Sequence, residues 1–185
     1  MGEGALGRRG FLRGAAGWAA VAAAGWAARE ARSEGTVWQI DPWKCIHCGR
    51  CETECVLFPS AVKCVHNFAL CGYCTLCFGY FHPQAAEQNE AAENQVCPTG
   101  AILRRRVEGP YHEYSIDESK CTGCAKCVKG CTTFGNGSLQ LQIRQDRCVQ
   151  CNACSIARVC PSRAIRRVPV AEPYLLKAAS SEGPR

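Results

Sequence analysis

Sixteen of the 17 cysteines in this 185-residue chain fall into four groups of four, and their spacing constrains the fold more than any other feature. The first group is Cys45-x2-Cys48-x2-Cys51-x3-Cys55. The second is Cys71-x2-Cys74-x2-Cys77, followed after 19 residues by Cys97-Pro98. The third is Cys121-x2-Cys124-x2-Cys127-x3-Cys131, and the fourth is Cys148-x2-Cys151-x2-Cys154-x5-Cys160-Pro161. Three thiols at a spacing of three let one tight loop reach three corners of an iron–sulfur cube, and a thiol distant in sequence completes it. Other uses of cysteine fit worse. An odd total and repeated triplets do not suit a disulfide framework, and no Cys-x2-Cys is followed by the His that c-type haem attachment needs. A structural zinc protein is the remaining alternative, but structural zinc takes paired Cys-x2-Cys or Cys/His sets. Cysteine makes up about 9% of the chain, a share at which cysteine chemistry sets the architecture.

The groups are arranged in an internal repeat, which defines the structural unit. Ile40-Asp41-Pro42-Trp43-Lys44-Cys45 aligns with Ile116-Asp117-Glu118-Ser119-Lys120-Cys121. Cys55 then matches Cys131, Phe58 matches Phe134, and Cys71 matches Cys148. The halves close alike, with Cys97-Pro98-Thr99-Gly100-Ala101-Ile102 against Cys160-Pro161-Ser162-Arg163-Ala164-Ile165. Over residues 38–168 each half resembles a bacterial two-cluster ferredoxin. The resemblance implies an α+β fold of two tandem dicluster modules, with short strands and helices wrapped around four [4Fe-4S] clusters. The modules would span residues 37–108 and 109–168, after a leader of residues 1–36 and before a tail of residues 169–185.

In that family the fourth cysteine of a motif ligates the other cluster. The resemblance therefore implies Cys45, Cys48 and Cys51 with Cys97, and Cys71, Cys74 and Cys77 with Cys55. In the second half it implies Cys121, Cys124 and Cys127 with Cys160, and Cys148, Cys151 and Cys154 with Cys131. The chain departs from the family pattern in three places. Val56 and Thr132 stand where a proline usually follows the fourth cysteine. The gap before Cys97 holds an Ala/Glu-rich segment, Pro83 to Glu93, whose composition predicts a helix. Cys64 is left over, as a buried free thiol or as an alternative to Cys55.

Arg8-Arg9-Gly10-Phe11-Leu12 precedes an uncharged, Ala-rich stretch from Gly14 to Ala28. Those 15 residues are short for a bilayer, which needs about 20, and they match an export signal. The Arg pair resembles the bacterial twin-arginine address. It implies a periplasmic location, or one at the outer face of the cytoplasmic membrane, with retention of the segment as a membrane anchor left open. That route carries folded cargo, so the metal would be loaded before the thiols meet an oxidising compartment.

Local patterns add detail. Leu139, Leu141 and Ile143 alternate with Gln140 and Gln142, predicting a half-buried strand, and Tyr111 to Ile116 predicts another. Gly135-Asn136-Gly137 predicts a turn, Glu108-Gly109-Pro110 the join between modules, and the Pro/Ser/Gly-rich end a loose tail. Tyr73, Phe78, Tyr80 and Phe81 are expected to shield the Cys71–Cys77 loop from water. His47, His66, His82 and His112 are expected to be surface or packing residues. Arg104, Arg105, Arg106, Arg163, Arg166 and Arg167 read as a solvated face, with docking to an acidic partner as the alternative.

No phosphate-cradling glycine loop or nucleophile elbow occurs in the sequence. The expected function is one-electron transfer, similar to ferredoxin subunits of Rnf-type electron transport and exported iron–sulfur subunits of respiratory oxidoreductases. The expected partners are membrane-associated flavin-, haem- or quinone-linked redox proteins, not nucleic acid. A small stand-alone iron–sulfur reductase is the alternative. The formal charge of +6 falls to +4 without residues 1–28. Four clusters of about −2 each, thiolates included, would bring it to about −4, so the basic balance compensates buried anions.

Overall fold

The computed structural model describes residues 35–178, so the twin-arginine segment lies outside the described residues. The chain is α+β, built from short antiparallel strands and short helices. Its elements are β1 (Thr36–Ile40), α1 (Arg50–Thr53), β2 (Val62–His66), β3 (Ile102–Glu108) and β4 (Tyr111–Ile116). There follow α2 (Lys126–Phe134), β5 (Leu139–Ile143), α3 (Ser155–Val159) and β6 (Ile165–Pro169). Single 3-10 turns stand at Phe68–Leu70 and Ala92–Asn94. No helix among the described residues is long and apolar enough to cross a membrane.

The strands form three two-stranded sheets, β1 with β6, β2 with β5, and β3 with β4. The predicted strands at 111–116 and 139–143 are β4 and β5. The expected join near Pro110 is instead the hairpin between β3 and β4, where Ile102 pairs with Ile116 and Glu108 with Tyr111. The first strand pairs with the last, and residues 37–168 fall in one compact unit. The sheets therefore interleave the two halves that the repeat suggested as tandem modules. Val62, Ala61, Ile40, Leu139, Leu141, Ile143, Val128 and Ile156 make the core together with several of the cysteines.

Three local expectations are corrected. The Pro83–Glu93 segment forms no α-helix. Its ends are tied as an antiparallel bridge, with the His82 N–H donating to Asn94 O (2.7 Å) and the Val96 N–H to Tyr80 O (2.7 Å). Between them the Asn89 carboxamide accepts the Ala91 N–H (3.1 Å) and the Asn94 side-chain amide (2.5 Å). Such side-chain bonds to nearby backbone compete with a helix. Strand β5 is buried on both faces, not one. The second face is covered by the tail, which is docked through at least Lys177. Pro173 O accepts the Gln39 amide (2.7 Å), Leu175 O the Gln142 amide (3.3 Å) and Lys177 O the Asn67 amide (2.7 Å), while the Lys177 N–H donates to Gln140 (3.1 Å). Buried amides left without partners would be costly, and the tail backbone supplies partners to each of these four side chains, leaving only the Gln140 Nε2 donor unmatched among them.

Candidate metal centres

All four cysteine triplets fold into the same local loop. The residue two after the first cysteine is left-handed in every copy: His47 (φ 57°), Tyr73 (φ 47°), Gly123 (φ 82°) and Gln150 (φ 52°). In three copies that residue's N–H turns back onto the sulfur of Cys45, Cys121 or Cys148. Successive N–H groups aimed at one point form an anion-binding concavity, the kind found around iron–sulfur sites. A left-handed non-glycine residue costs about 1–2 kcal/mol, so three loops accept strain to hold it. The third uses glycine for a separate reason: a Cβ on Gly123 would lie 2.6 Å from Val62 O in β2. The two late cysteines also share a geometry. The Ala101 N–H donates to Cys97 Sγ (3.2 Å) and the Ala164 N–H to Cys160 Sγ (3.3 Å).

The structure brings all sixteen cysteines into four sets of three plus one, but not with the expected partners. Cys97 shares a cavity with Cys121, Cys124 and Cys127. Cys131 shares one with Cys71, Cys74 and Cys77, and Cys55 shares one with Cys148, Cys151 and Cys154. Cys160 adjoins the remaining triplet. Burial first, then the neighbouring sulfurs including Cys160, raises Cys45 and pushes Cys51 up to about 12. Strand pairing is the physical cause. Chain leaving Cys55 enters β2 and proceeds to Cys71, while chain leaving Cys131 enters β5 and proceeds to Cys148. Their antiparallel register sets Val62 against Ile143 and His66 against Leu139. Each lone cysteine is thereby delivered to the other strand's triplet. Likewise the Asp41 N–H bonds Ala164 O and the Asp117 N–H bonds Ala101 O, both at 2.7 Å, which seats Cys160 by the first triplet and Cys97 by the third.

No family model, curated protein or solved structure matches the chain.

The donor chemistry tests what these sets can hold. All 17 thiols are free of disulfides. Burial raises Cys77 to about 11, and it also raises Cys121, Cys124 and Cys148. Grouped buried thiols cannot all ionise without a cation among them, and a metal core supplies one while releasing their protons. No three His, Cys, Asp or Glu side chains among the described residues are grouped to hold a single metal ion. A cubane asks for less convergence, because each thiolate binds a different iron. Three thiols on one loop and a fourth from a distant segment therefore fit a [4Fe-4S] core.

Cys64 does not replace Cys55 beside Cys71–Cys77; neither residue is there. Cys64 is 2% exposed in β2 and lines the cavity of Cys97, Cys121, Cys124 and Cys127. Its N–H donates to Cys121 Sγ (3.3 Å). Its thiol lies beside Cys127, a contact that together with burial raises Cys64, and its Sγ lies 3.9 Å from Val65 O. Beside it Lys63, a residue without any sequence signal of its own, is fully buried with its ammonium on Cys121 O.

The aromatic shield divides into two pairs. Tyr73 and Phe78 line the Cys71–Cys77 cavity together with Tyr114 and His66. Tyr80 and Phe81 pack edge to face in the core behind it, centroids 4.8 Å apart. His66 accepts from or donates to no cysteine; its Nδ1 lies 2.9 Å from Tyr114 O. Several of the arginines engage their own fold. Arg104 lies over Phe81 (5.0 Å), Arg167 over Trp38 (4.5 Å), Arg105 pairs with Glu113, and Arg166 lies 3.6 Å from Asp41.

Proposed function

We propose that this chain is an exported electron-transfer protein built as two interleaved ferredoxin-like dicluster folds. Cys45, Cys48, Cys51 and Cys160 hold one [4Fe-4S] cluster, and Cys55, Cys148, Cys151 and Cys154 hold a second. Cys97, Cys121, Cys124 and Cys127 hold a third, and Cys71, Cys74, Cys77 and Cys131 a fourth. Clusters bound there supply one-electron transfer, and four in one chain suit a relay between redox partners at the outer face of the cytoplasmic membrane. The observation that carries this reading is the fourfold recurrence of one loop, each copy completed by a single cysteine from a distant segment.

The protein's own residues do the rest. Backbone N–H groups and α1 and α2 orient the sulfurs, and Tyr73, Phe78, Trp38 and Ile156 limit water around two of the sets. Cys48 and Cys74 are exposed, whereas the sets completed by Cys55 and Cys97 contain no exposed cysteine. The Cys48 and Cys74 sites are thus the natural points of contact with partners. Anaerobic purification followed by iron analysis and redox-titrated EPR tests the reading. About sixteen irons and four cubane signals are expected. Bound zinc without iron would overturn it, and turnover of a small acceptor without any partner would favour the reductase alternative.

A further inference from the structure

The four sites are not electrostatically alike. Adding an electron to a thiolate-bound cluster increases its negative charge, so hydrogen bonds to sulfur and nearby cations raise its potential. In the Cys45 set, the His47 N–H reaches Cys45, the Ala164 N–H reaches Cys160, Ser162 Oγ lies 3.7 Å from Cys160 Sγ, and the half-buried Lys177 ammonium, still open to solvent, acts on Cys45. In the Cys148 set, the Gln150 N–H reaches Cys148. In the Cys71 set, the Gly79 and Tyr80 N–H groups reach Cys77, and Ser138 Oγ lies 3.5 Å from Cys131 Sγ. The Cys121 set alone has two N–H donors within 3.3 Å of its sulfurs among the described residues, from Ala101 and Cys64. The Ala101 N–H serves Cys97, the Gly123 and Cys64 N–H groups serve Cys121, the Lys126 N–H serves Cys124, and the Val128 N–H serves Cys127, with the Cys64 thiol beside it.

Two of those contributions come from one strand, and that strand also brings a charge. Lys63 and Cys64 are consecutive in β2, both fully or almost fully buried. The Lys63 ammonium donates to Cys121 O, and among the described residues it forms no salt bridge with a carboxylate. The groups that act on it are Cys121, Arg147, Glu118 and Cys55, and Glu118 is itself held by Arg144 (3.0 Å). A buried ammonium resting on one carbonyl is costly unless an anion lies close. The anions that fit are the sites of Cys121 and Cys55, whose charges act on it.

Resting on the four-cluster reading above, we propose that the Cys97/Cys121/Cys124/Cys127 site is the highest-potential of the four, set there by Lys63 and Cys64. The strand acts as a positioning element: its ammonium bonds Cys121 O, the Cys64 N–H bonds Cys121 Sγ and the Cys64 thiol lies beside Cys127, while the same ammonium acts more weakly on Cys55. That would make the site the internal reservoir in which an electron rests between the exposed ends.

The test is redox-titrated EPR on the full, iron-loaded chain and its variants, with iron content measured in parallel. Lys63→Met removes the charge and keeps the apolar stem, and it should make the highest-potential site about tenfold harder to reduce, a fall of ~59 mV for a one-electron step. A smaller fall is expected in one further signal, and none in the other two. Lys63→Arg keeps the cation and should move that midpoint less than threefold. Cys64→Ala removes only the thiol beside Cys127, which can donate to that sulfur once it is a thiolate, and should lower the same midpoint alone. If Lys63→Met does not load iron, Cys64→Ala decides by itself, since cysteine here packs as a small apolar residue. An unchanged highest midpoint in Cys64→Ala, or a shift in a different signal, overturns the proposal while leaving the four-cluster reading intact. Unmodified protein without iron is the separate result that overturns that reading.

Discussion

The sharpest test of the interleaved arrangement is a non-additivity experiment on cluster number. Cys48 and Cys160 belong to one set of four, whereas Cys48 and Cys97 belong to different sets. Replacing any one of them by alanine removes one of four thiolates, so each single variant should keep three unaltered sites. The double variant Cys48→Ala/Cys160→Ala damages the same site twice and should still keep three. Cys48→Ala/Cys97→Ala damages two sites and should keep two, with about four fewer irons where a damaged site empties. The expected difference between the doubles is thus one whole site, about a quarter of the iron. Effects of groups that act as one unit do not add, while those of independent units do. The readouts are iron per chain and the number of distinct EPR signals after anaerobic purification. If Cys48→Ala/Cys97→Ala kept three sites and Cys48→Ala/Cys160→Ala kept two, the tandem arrangement would be restored and the reasoning from strand pairing would be wrong.

Three further outcomes follow from the geometry. Truncation after Glu172 removes four hydrogen bonds between the tail and Gln39, Asn67, Gln140 and Gln142. At about 0.5–1.5 kcal/mol each, stability should fall by about 2–6 kcal/mol in denaturant titration, and an unchanged midpoint would refute the docked tail. Gly123→Ala should cost about 2–4 kcal/mol from its left-handed backbone (φ 82°) and the contact with Val62 O, whereas Gly100→Ala (φ 60°), with nothing within 4 Å, should cost about 1 kcal/mol. Metal-free protein should weaken at alkaline pH. Cys51 rises from 9.0 to about 12 and Cys77 to about 11 on folding, so their contribution is fully present below pH 9 and is lost as pH climbs through that window. Iron-loaded protein, whose sulfurs are already deprotonated, should lack this loss, as thermal melts across pH would report.

The local units were legible in the sequence because their cause is local. A triplet at spacing three folds into the same loop wherever it stands, and the four left-handed residues fall at one repeated position. Strands β4 and β5 follow from side-chain alternation and coincide with the ranges read from it. The Ala/Glu-rich stretch misled because helix propensity is a weak preference, overridden by an antiparallel bridge at its two ends. The tail misled because its contribution is made by backbone carbonyls and one N–H, which leave little mark in residue type.

The sequence by itself determined the number of candidate sites, the sixteen cysteines grouped in them and the shape of each loop. Which lone cysteine closes which triplet was decided only by the tertiary structure. Tandem and interleaved arrangements share every local motif, and they differ only in whether β2 pairs with β5 and β1 with β6. Lys63 belongs to the same class. A lysine in a short strand carries no signal of its own, and its burial under the influence of Cys121 and Cys55 exists only once residues 55, 63 and 121 have been brought together.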